Sequence, residues 1–177
     1  MKVYDGSTSE SAPEADADAD PERVKVGIAE YEVTTDGADL TTSGLGSCLG
    51  VALYDRSTGT AGLAHVMLPT AEEMADDNAA KFADTGTDLL ITEMERAGAD
   101  TDDVVAKLAG GSDMLDFSES GSGIGVRNVE QVRETLAAHD VPVVGENVGG
   151  DHGRSLRFEA RTGDLVVKSA NEGDTRL

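Results

Sequence analysis

The chain has 177 residues and carries 35 acidic against 14 basic side chains, for a formal net charge of −21. This length fits one domain, and this charge excludes an electrostatic nucleic-acid binder and disfavours docking on anionic membranes, because phosphates would be repelled. With one cysteine, no run near the ~18 apolar residues of a membrane span and no apolar signal region, we expect a soluble cytoplasmic protein without disulfides or membrane insertion.

The chain begins with an acidic segment that is poor in apolar side chains. Residues 5–22 read DGSTSESAPEADADADPE, and such a composition cannot bury enough surface to offset its ordering entropy. We therefore expect a disordered acidic tail over residues 1–22. A globular domain over 23–170 and a C-terminal tail over 171–177 complete the predicted organisation.

The first elements of the domain follow a strand pattern. Apolar residues alternate from Val24 to Ile28, and after a shift of one residue Tyr31 and Val33 continue the pattern, which predicts one strand with a possible bulge near Ala29. Two apolar runs, 48–54 and 61–67, flank the turn sequence DRSTGT and predict a β-hairpin.

The later elements alternate between helix and strand patterns. In chain order they are a helix over 79–97 ending at Gly98, a strand over 104–109, a helix entered at GSGIG or Asn128, a strand over 141–148, and a hairpin of 155–160 with 165–169. This order predicts a layered α/β (α+β) domain in which mixed β-sheets are flanked by two or three helices.

The segment TSGLGSC, Thr42–Cys48, is the most informative for chemistry. Its glycines predict a tight turn that exposes backbone N–H groups, which can hold an anion or an oxyanion. A cysteine thiol near pKa ~8.5 is mostly protonated at pH 7, so a nucleophilic Cys48 needs a base nearby.

His65 is the candidate base, because cross-strand neighbours of the predicted hairpin lie ~5 Å apart at Cβ. The plainer interpretations remain open: Cys48 as a small buried hydrophobic residue, and His65 as a core histidine satisfied by a backbone carbonyl.

The other two histidines suggest no metal site. His139 ends a predicted helix, where a cation favours the helix dipole, so a structural role is expected. His152 lies in the turn GGDHG with Asp151 as its one obvious companion ligand. We expect no metal and no organic cofactor.

The acidic excess also carries an expectation about salt. A net charge of −21 costs self-repulsion. Molar salt shortens the screening length to ~3 Å and removes most of that cost. The composition is therefore typical of a halophilic protein.

Five segments, in the right order, together resemble the CheD family of chemoreceptor glutamine deamidases. They are Thr42–Cys48 (TSGLGSC), Gly62–Pro69 (GLAHVMLP), Gly110–Leu115 (GGSDML), Ile124–Asn128 (IGVRN) and Gly149–Arg154 (GGDHGR). The resemblance covers roughly residues 24–168. It implies hydrolysis of glutamine side-chain amides in methyl-accepting chemotaxis receptors, giving glutamate and ammonia without a cofactor.

The resemblance also implies a Cys–His–Thr constellation. Cys48 would attack the amide carbonyl, His65 would take the thiol proton and pass it to ammonia, and Thr42 would orient the imidazole. Backbone amides of the turn around Gly46 and Ser47, with that of Cys48, would stabilise the oxyanion.

The same resemblance implies a fold and a partner. The fold would be similar to the cysteine-hydrolase fold of some bacterial toxins, and the partner would be a CheC-type chemotaxis phosphatase. The alternative function is therefore a regulatory binding module for that phosphatase with little catalysis. A broader cysteine amidase or peptidase is a third possibility.

Overall fold

The computed structural model describes residues 22–71, 77–113, 123–170 and 173–177. The tail expected over 1–22 lies outside the described residues except for its last position. The described residues form two five-stranded sheets and two α-helices, which confirms the layered α/β domain. Neither α-helix is long and apolar enough to cross a bilayer.

Each sheet mixes parallel and antiparallel pairs. The strands of the first sheet, in spatial order, are β1 (Arg23–Lys25), β3 (Asp39–Leu45), β8 (Arg154–Glu159), β9 (Asp164–Ser169) and β10 (Gly173–Arg176). Those of the second are β2 (Tyr31–Thr34), β5 (Ala61–Val66), β4 (Leu49–Asp55), β6 (Val104–Gly110) and β7 (Val143–Val148). The β1–β3 and β6–β7 pairs are parallel, and the other pairs are antiparallel.

The two sheets pack face to face, and both helices cover the outer face of the second sheet. The helices are α1 (Ala83–Arg96) and α2 (Ile124–Ala138). The core between the sheets contains Leu40, Leu156, Phe158, Ala52, Leu63 and Ala109. The core under the helices contains Val51, Leu53, Leu90, Ile91, Val132 and Leu136. Strands β4 and β5 are therefore covered on both faces, which explains their nearly uninterrupted apolar sequences.

The single strand expected over Val24–Val33 is wrong. Residues on either side of Ala29, which has a φ of 62°, belong to different sheets. Val26 packs in the core between the sheets, whereas Val33 packs against the core under the helices. The apolar pattern shifts by one residue between Ile28 and Tyr31, and the two halves bury apolar side chains in different cores.

The helices and hairpins agree with the expected patterns, with shifted ends. The predicted helix over 79–97 begins as a 3₁₀ turn at Ala79–Lys81 and continues as α1, and Gly98 follows it with a φ of 106°. Helix α2 enters from Gly123, within GSGIG, so that Asn128 lies one turn inside.

The segment 171–177, expected as a tail, contains β10, which pairs antiparallel with β9. Its sequence GDTR has no apolar alternation, because β10 is an edge strand with largely exposed side chains.

Candidate active site

The turn that carries Cys48 connects the two sheets. Thr42 lies within β3 of the first sheet, and Cys48 immediately precedes β4 of the second. The glycine turn expected over Thr42–Cys48 is therefore shorter: Thr42–Leu45 is strand, and the turn itself is limited to residues 46–48. Sequence reasoning missed β3 because DLTTSGL interrupts its apolar residues with threonine, serine and glycine.

The hairpin of β4 and β5 has the expected antiparallel pairing and places His65 opposite Gly50. Side chains alternate along a strand, so Cys48 and Gly50 share a face with His65. A Cβ on Gly50 would collide with the Leu156 side chain of the first sheet, so this face looks into the core between the sheets. His65 is fully buried there, diagonal to the half-buried Cys48.

The strongest geometric feature is the contact between Thr42 and His65. The Thr42 hydroxyl lies 2.7 Å from Nδ1 of His65 and also donates to the carbonyl oxygen of Val26, at 2.7 Å. A hydroxyl has one hydrogen, so with that hydrogen given to Val26 it must accept the Nδ1–H of His65. The imidazole is thereby held in the tautomer whose Nε2 carries a lone pair.

The Nε2 atom of His65 is buried and makes no hydrogen bond to any described residue, Cys48 included. The structure thus brings Thr42 and His65 into direct contact and places Cys48 diagonally opposite, without a bond between thiol and imidazole. A buried lone pair without a donor is available as a proton acceptor.

Burial shifts both titratable groups toward their neutral forms. It lowers the pKa of His65 from 6.5 to about 4. It also raises the pKa of the Cys48 thiol, an effect partly opposed by a hydrogen bond from its own backbone N–H. At pH 7 the resting site therefore holds a thiol and a neutral imidazole rather than an ion pair.

The carbonyl oxygens of the Cys48 turn are bound by the two residues that follow β6. The N–H of Ser112 donates to Gly46 O at 2.9 Å, and the N–H of Gly111 donates to Cys48 O at 2.8 Å. These bonds hold the turn against the second sheet.

Two of the turn's N–H groups have no such partner. The N–H of Gly46 donates to Gly44 O at 3.2 Å, whereas those of Ser47 and Cys48 donate to no carbonyl of the described backbone. Ser47 is exposed and Cys48 is half-buried, so the turn lies at the surface of the described structure.

The remaining histidines have other surroundings. Nε2 of His139 lies 2.7 Å from Asp88 Oδ1, which joins the end of α2 to α1 and fits the structural role expected for it. His152 is buried. Among the described residues, the side chains of His, Cys, Asp and Glu form no group of three that could hold a metal ion.

Comparison with known proteins places this chain in a family. The family model described as CheD chemotactic sensory transduction matches residues 67–169. A Haloarcula marismortui protein named "Probable chemoreceptor glutamine deamidase CheD" is 64% identical over 177 residues, which is 100% of both chains.

Two further relatives match less of the chain. The Natronomonas pharaonis protein of the same name is 43% identical over 157 residues, 88% of this chain and 93% of its own. The "Chemoreceptor glutamine deamidase CheD" of Halalkalibacterium halodurans is 40% identical over 158 residues, 87% and 98% of the two chains. With the family model over more than half of its length and full-length relatives beside it, this chain belongs to the CheD family.

Proposed function

We propose that this chain is a cysteine-dependent hydrolase that deamidates specific glutamine side chains of methyl-accepting chemotaxis receptors in the cytoplasm. Family membership supports the substrate class, since curated relatives are named chemoreceptor glutamine deamidases. The observation that carries the chemistry is the Thr42–His65 contact, which leaves Nε2 of a buried imidazole as a base beside Cys48.

The first half of the reaction forms a thioester. Nε2 of His65 takes the thiol proton as Cys48 Sγ attacks the glutamine side-chain carbonyl, and the carbonyl oxygen becomes an oxyanion. The N–H groups of Ser47 and Cys48 donate to that oxyanion. The C–N bond then breaks, and the imidazolium returns its proton to the nitrogen that leaves as ammonia.

The second half repeats these steps with water. Nε2 removes a proton from a water molecule, the resulting oxygen nucleophile attacks the thioester, and Cys48 leaves and is reprotonated. The sum is glutamine plus water giving glutamate plus ammonia. An imidazole whose pKa is lowered from 6.5 to about 4 is, once protonated, a stronger acid than an ordinary imidazolium, which favours proton delivery to the leaving amine.

The test is incubation of the purified chain with a glutamine-containing receptor cytoplasmic fragment in roughly molar KCl. Peptide mass spectrometry then measures the amide-to-acid mass increase at single glutamines. We expect site-specific conversion by the native chain and none by Cys48→Ala, whose small apolar side chain leaves the fold intact. Conversion by Cys48→Ala at the native rate would falsify the nucleophile assignment, and conversion of small amides alone would favour a general amidase.

We also infer a second role, binding of a CheC-type phosphatase, which the family resemblance implies. The exposed residues Ser43, Gly44 and Ser47 make the Cys48 turn a reachable surface. A partner that covers this turn would compete with the receptor. A pull-down with Cys48→Ala separates the roles, since binding should persist while deamidation is lost; no binding by a folded chain would remove the second role.

A further inference from the structure

The side chain of Asn128 is a fully buried amide in the first turns of α2. Its Nδ2 donates to the carbonyl oxygen of Ser47 at 2.9 Å and to that of Met67 at 3.0 Å. Both amide hydrogens are therefore used. A flip of the amide would place Oδ1 against two carbonyl oxygens, so the orientation is determined by its partners.

The two acceptors belong to the two segments that carry the chemistry. Ser47 directly precedes Cys48, and Met67 follows His65 by two residues. One side-chain amide therefore links the turn that carries Cys48 to the end of β5, the strand that carries His65. Because thiol and imidazole share no hydrogen bond at rest, their separation depends on what holds these two segments together.

Helix α2 is itself seated closely enough to make Asn128 a rigid support. A Cβ on Gly125 would collide with the carbonyl oxygens of Ser112 and Gly111, so only glycine permits this approach of the helix to the end of β6. Gly111 and Ser112 also bind the Cys48 turn through their N–H groups. The turn is thus held by β6 on one side and by Asn128 on the other.

We propose that Asn128 is a positioning residue for the deamidation, acting through the distance and orientation between Cys48 and His65. The proposal rests on the function proposed above. Misplacement of reacting groups by about 1 Å costs about 100-fold in rate, so loss of this cross-link should lower turnover far more than substrate affinity.

The test compares Asn128→Ala and Asn128→Leu with the native chain. Leucine keeps the branched shape of the side chain and removes both donors, so one variant remains informative if the alanine variant folds poorly. Thr87→Val is the matched control, because Thr87 is fully buried in α1 and its hydroxyl has no partner among the described residues. Far-UV circular dichroism confirms folding of each variant in the same salt.

Two readouts apply. For deamidation we expect kcat to fall about 100-fold in both Asn128 variants while KM stays within about twofold. Cys48 is the chain's only thiol, and its alkylation by iodoacetamide should slow about tenfold near pH 7, where His65 assists removal of the thiol proton. Near pH 10 the alkylation rate should be unchanged, because hydroxide removes the thiol proton in place of His65. Thr87→Val should match the native chain in both.

A His65→Ala background gives the decisive comparison. If Asn128 acts through His65, adding Asn128→Ala there should change alkylation no further. The positioning role would be overturned if Asn128→Ala slowed alkylation equally with and without His65. It would also be overturned if the Asn128 variants slowed alkylation equally at both pH values, or did not slow it at all.

The alkylation assay needs no receptor, so it separates this proposal from the proposed function. The expected alkylation pattern without receptor deamidation would leave Asn128 as a positioning residue and remove the substrate assignment. Receptor deamidation by the native chain without the expected alkylation pattern would support the substrate assignment and remove the positioning role of Asn128.

Discussion

At the scale of single residues, one hydroxyl hydrogen determines which nitrogen of His65 is free. Thr42 gives that hydrogen to Val26 O and accepts from Nδ1–H, so a neutral residue does the orienting that a carboxylate or amide does in other triads. A neutral acceptor adds little stabilisation of imidazolium, which is consistent with the lowered pKa of His65. In the proposed reaction, Thr42 therefore serves to orient the imidazole.

Replacing Thr42 by valine should test this role directly. Valine keeps the shape but removes the acceptor for Nδ1–H, so the imidazole can adopt the wrong tautomer, and we expect kcat to fall about 100-fold or more with little change in KM. Thr42→Ser should retain most of the activity because it keeps the hydroxyl. Thr41→Val on the neighbouring position of β3 is the control, and native turnover in Thr42→Val would contradict the orienting role.

At this scale the sequence supplied the candidates for the site. Cys48 and His65 follow from residue type and the predicted hairpin, Thr42 follows from the family resemblance alone, and the structure places Thr42 against His65. The Val26 carbonyl could not have been found, because a backbone acceptor has no residue signature. Asn128 left a weak signal: a polar residue on the helix face that also carries Val129, Val132 and Leu136.

At the scale of elements, the pairing of β4 with β5 positions His65, the proposed base, and Gly50 on β4 makes room for the first sheet. A side chain at Gly50 would occupy the space of Leu156 on β8. Close packing between the sheets thus requires glycine at position 50, directly opposite His65, whose side chain contacts Thr42 of the other sheet.

Gly50→Ala should therefore lower the free energy of unfolding by about 1–3 kcal/mol, the usual cost of overpacking a core. Chemical denaturation followed by circular dichroism measures it. Gly153→Ala is the control, because a Cβ there makes ordinary contact with Leu45 O alone. Adding Leu156→Ala to Gly50→Ala should cost less than the sum of the single changes, and strict additivity would contradict direct contact between the two positions.

Element prediction succeeded where one core defines the pattern. The runs 48–54 and 61–67 are apolar on both faces and flank a clear turn, so their hairpin was predictable. The break at Ala29 was not predictable, because the apolar side chains before it pack in one core and those after it pack against the other. Strand β10 has no apolar pattern at all, and only its partner β9 shows it to be a strand.

At the scale of the whole molecule, the charge of −21 is the dominant property. The acidic side chains repel one another in dilute buffer, and salt reduces that repulsion without altering the buried contacts. The apolar pattern of the sequence determines the two sheets and their cores, whereas the charge of the surface determines how much salt the folded chain needs. The fold and the salt requirement are therefore largely independent.

We expect the melting temperature to rise steeply as KCl is increased from dilute buffer to about 1 M, where the screening length is ~3 Å. Thermal melts followed by far-UV circular dichroism measure this. Choline chloride at the same ionic strength is the control, since screening depends on charge and concentration rather than on the cation. Full stability without added salt would show that self-repulsion is not significant.

The contact between Thr42 and His65 joins residues on different sheets, and this has a consequence for how variants should be ranked. Substitutions in the core between the sheets can shift one sheet slightly against the other while leaving both folded. Such a shift changes the 2.7 Å contact of the proposed site before it changes the melting temperature. In a library of core variants, thermal stability and turnover should therefore be poorly correlated, and screening for stability alone would retain inactive proteins.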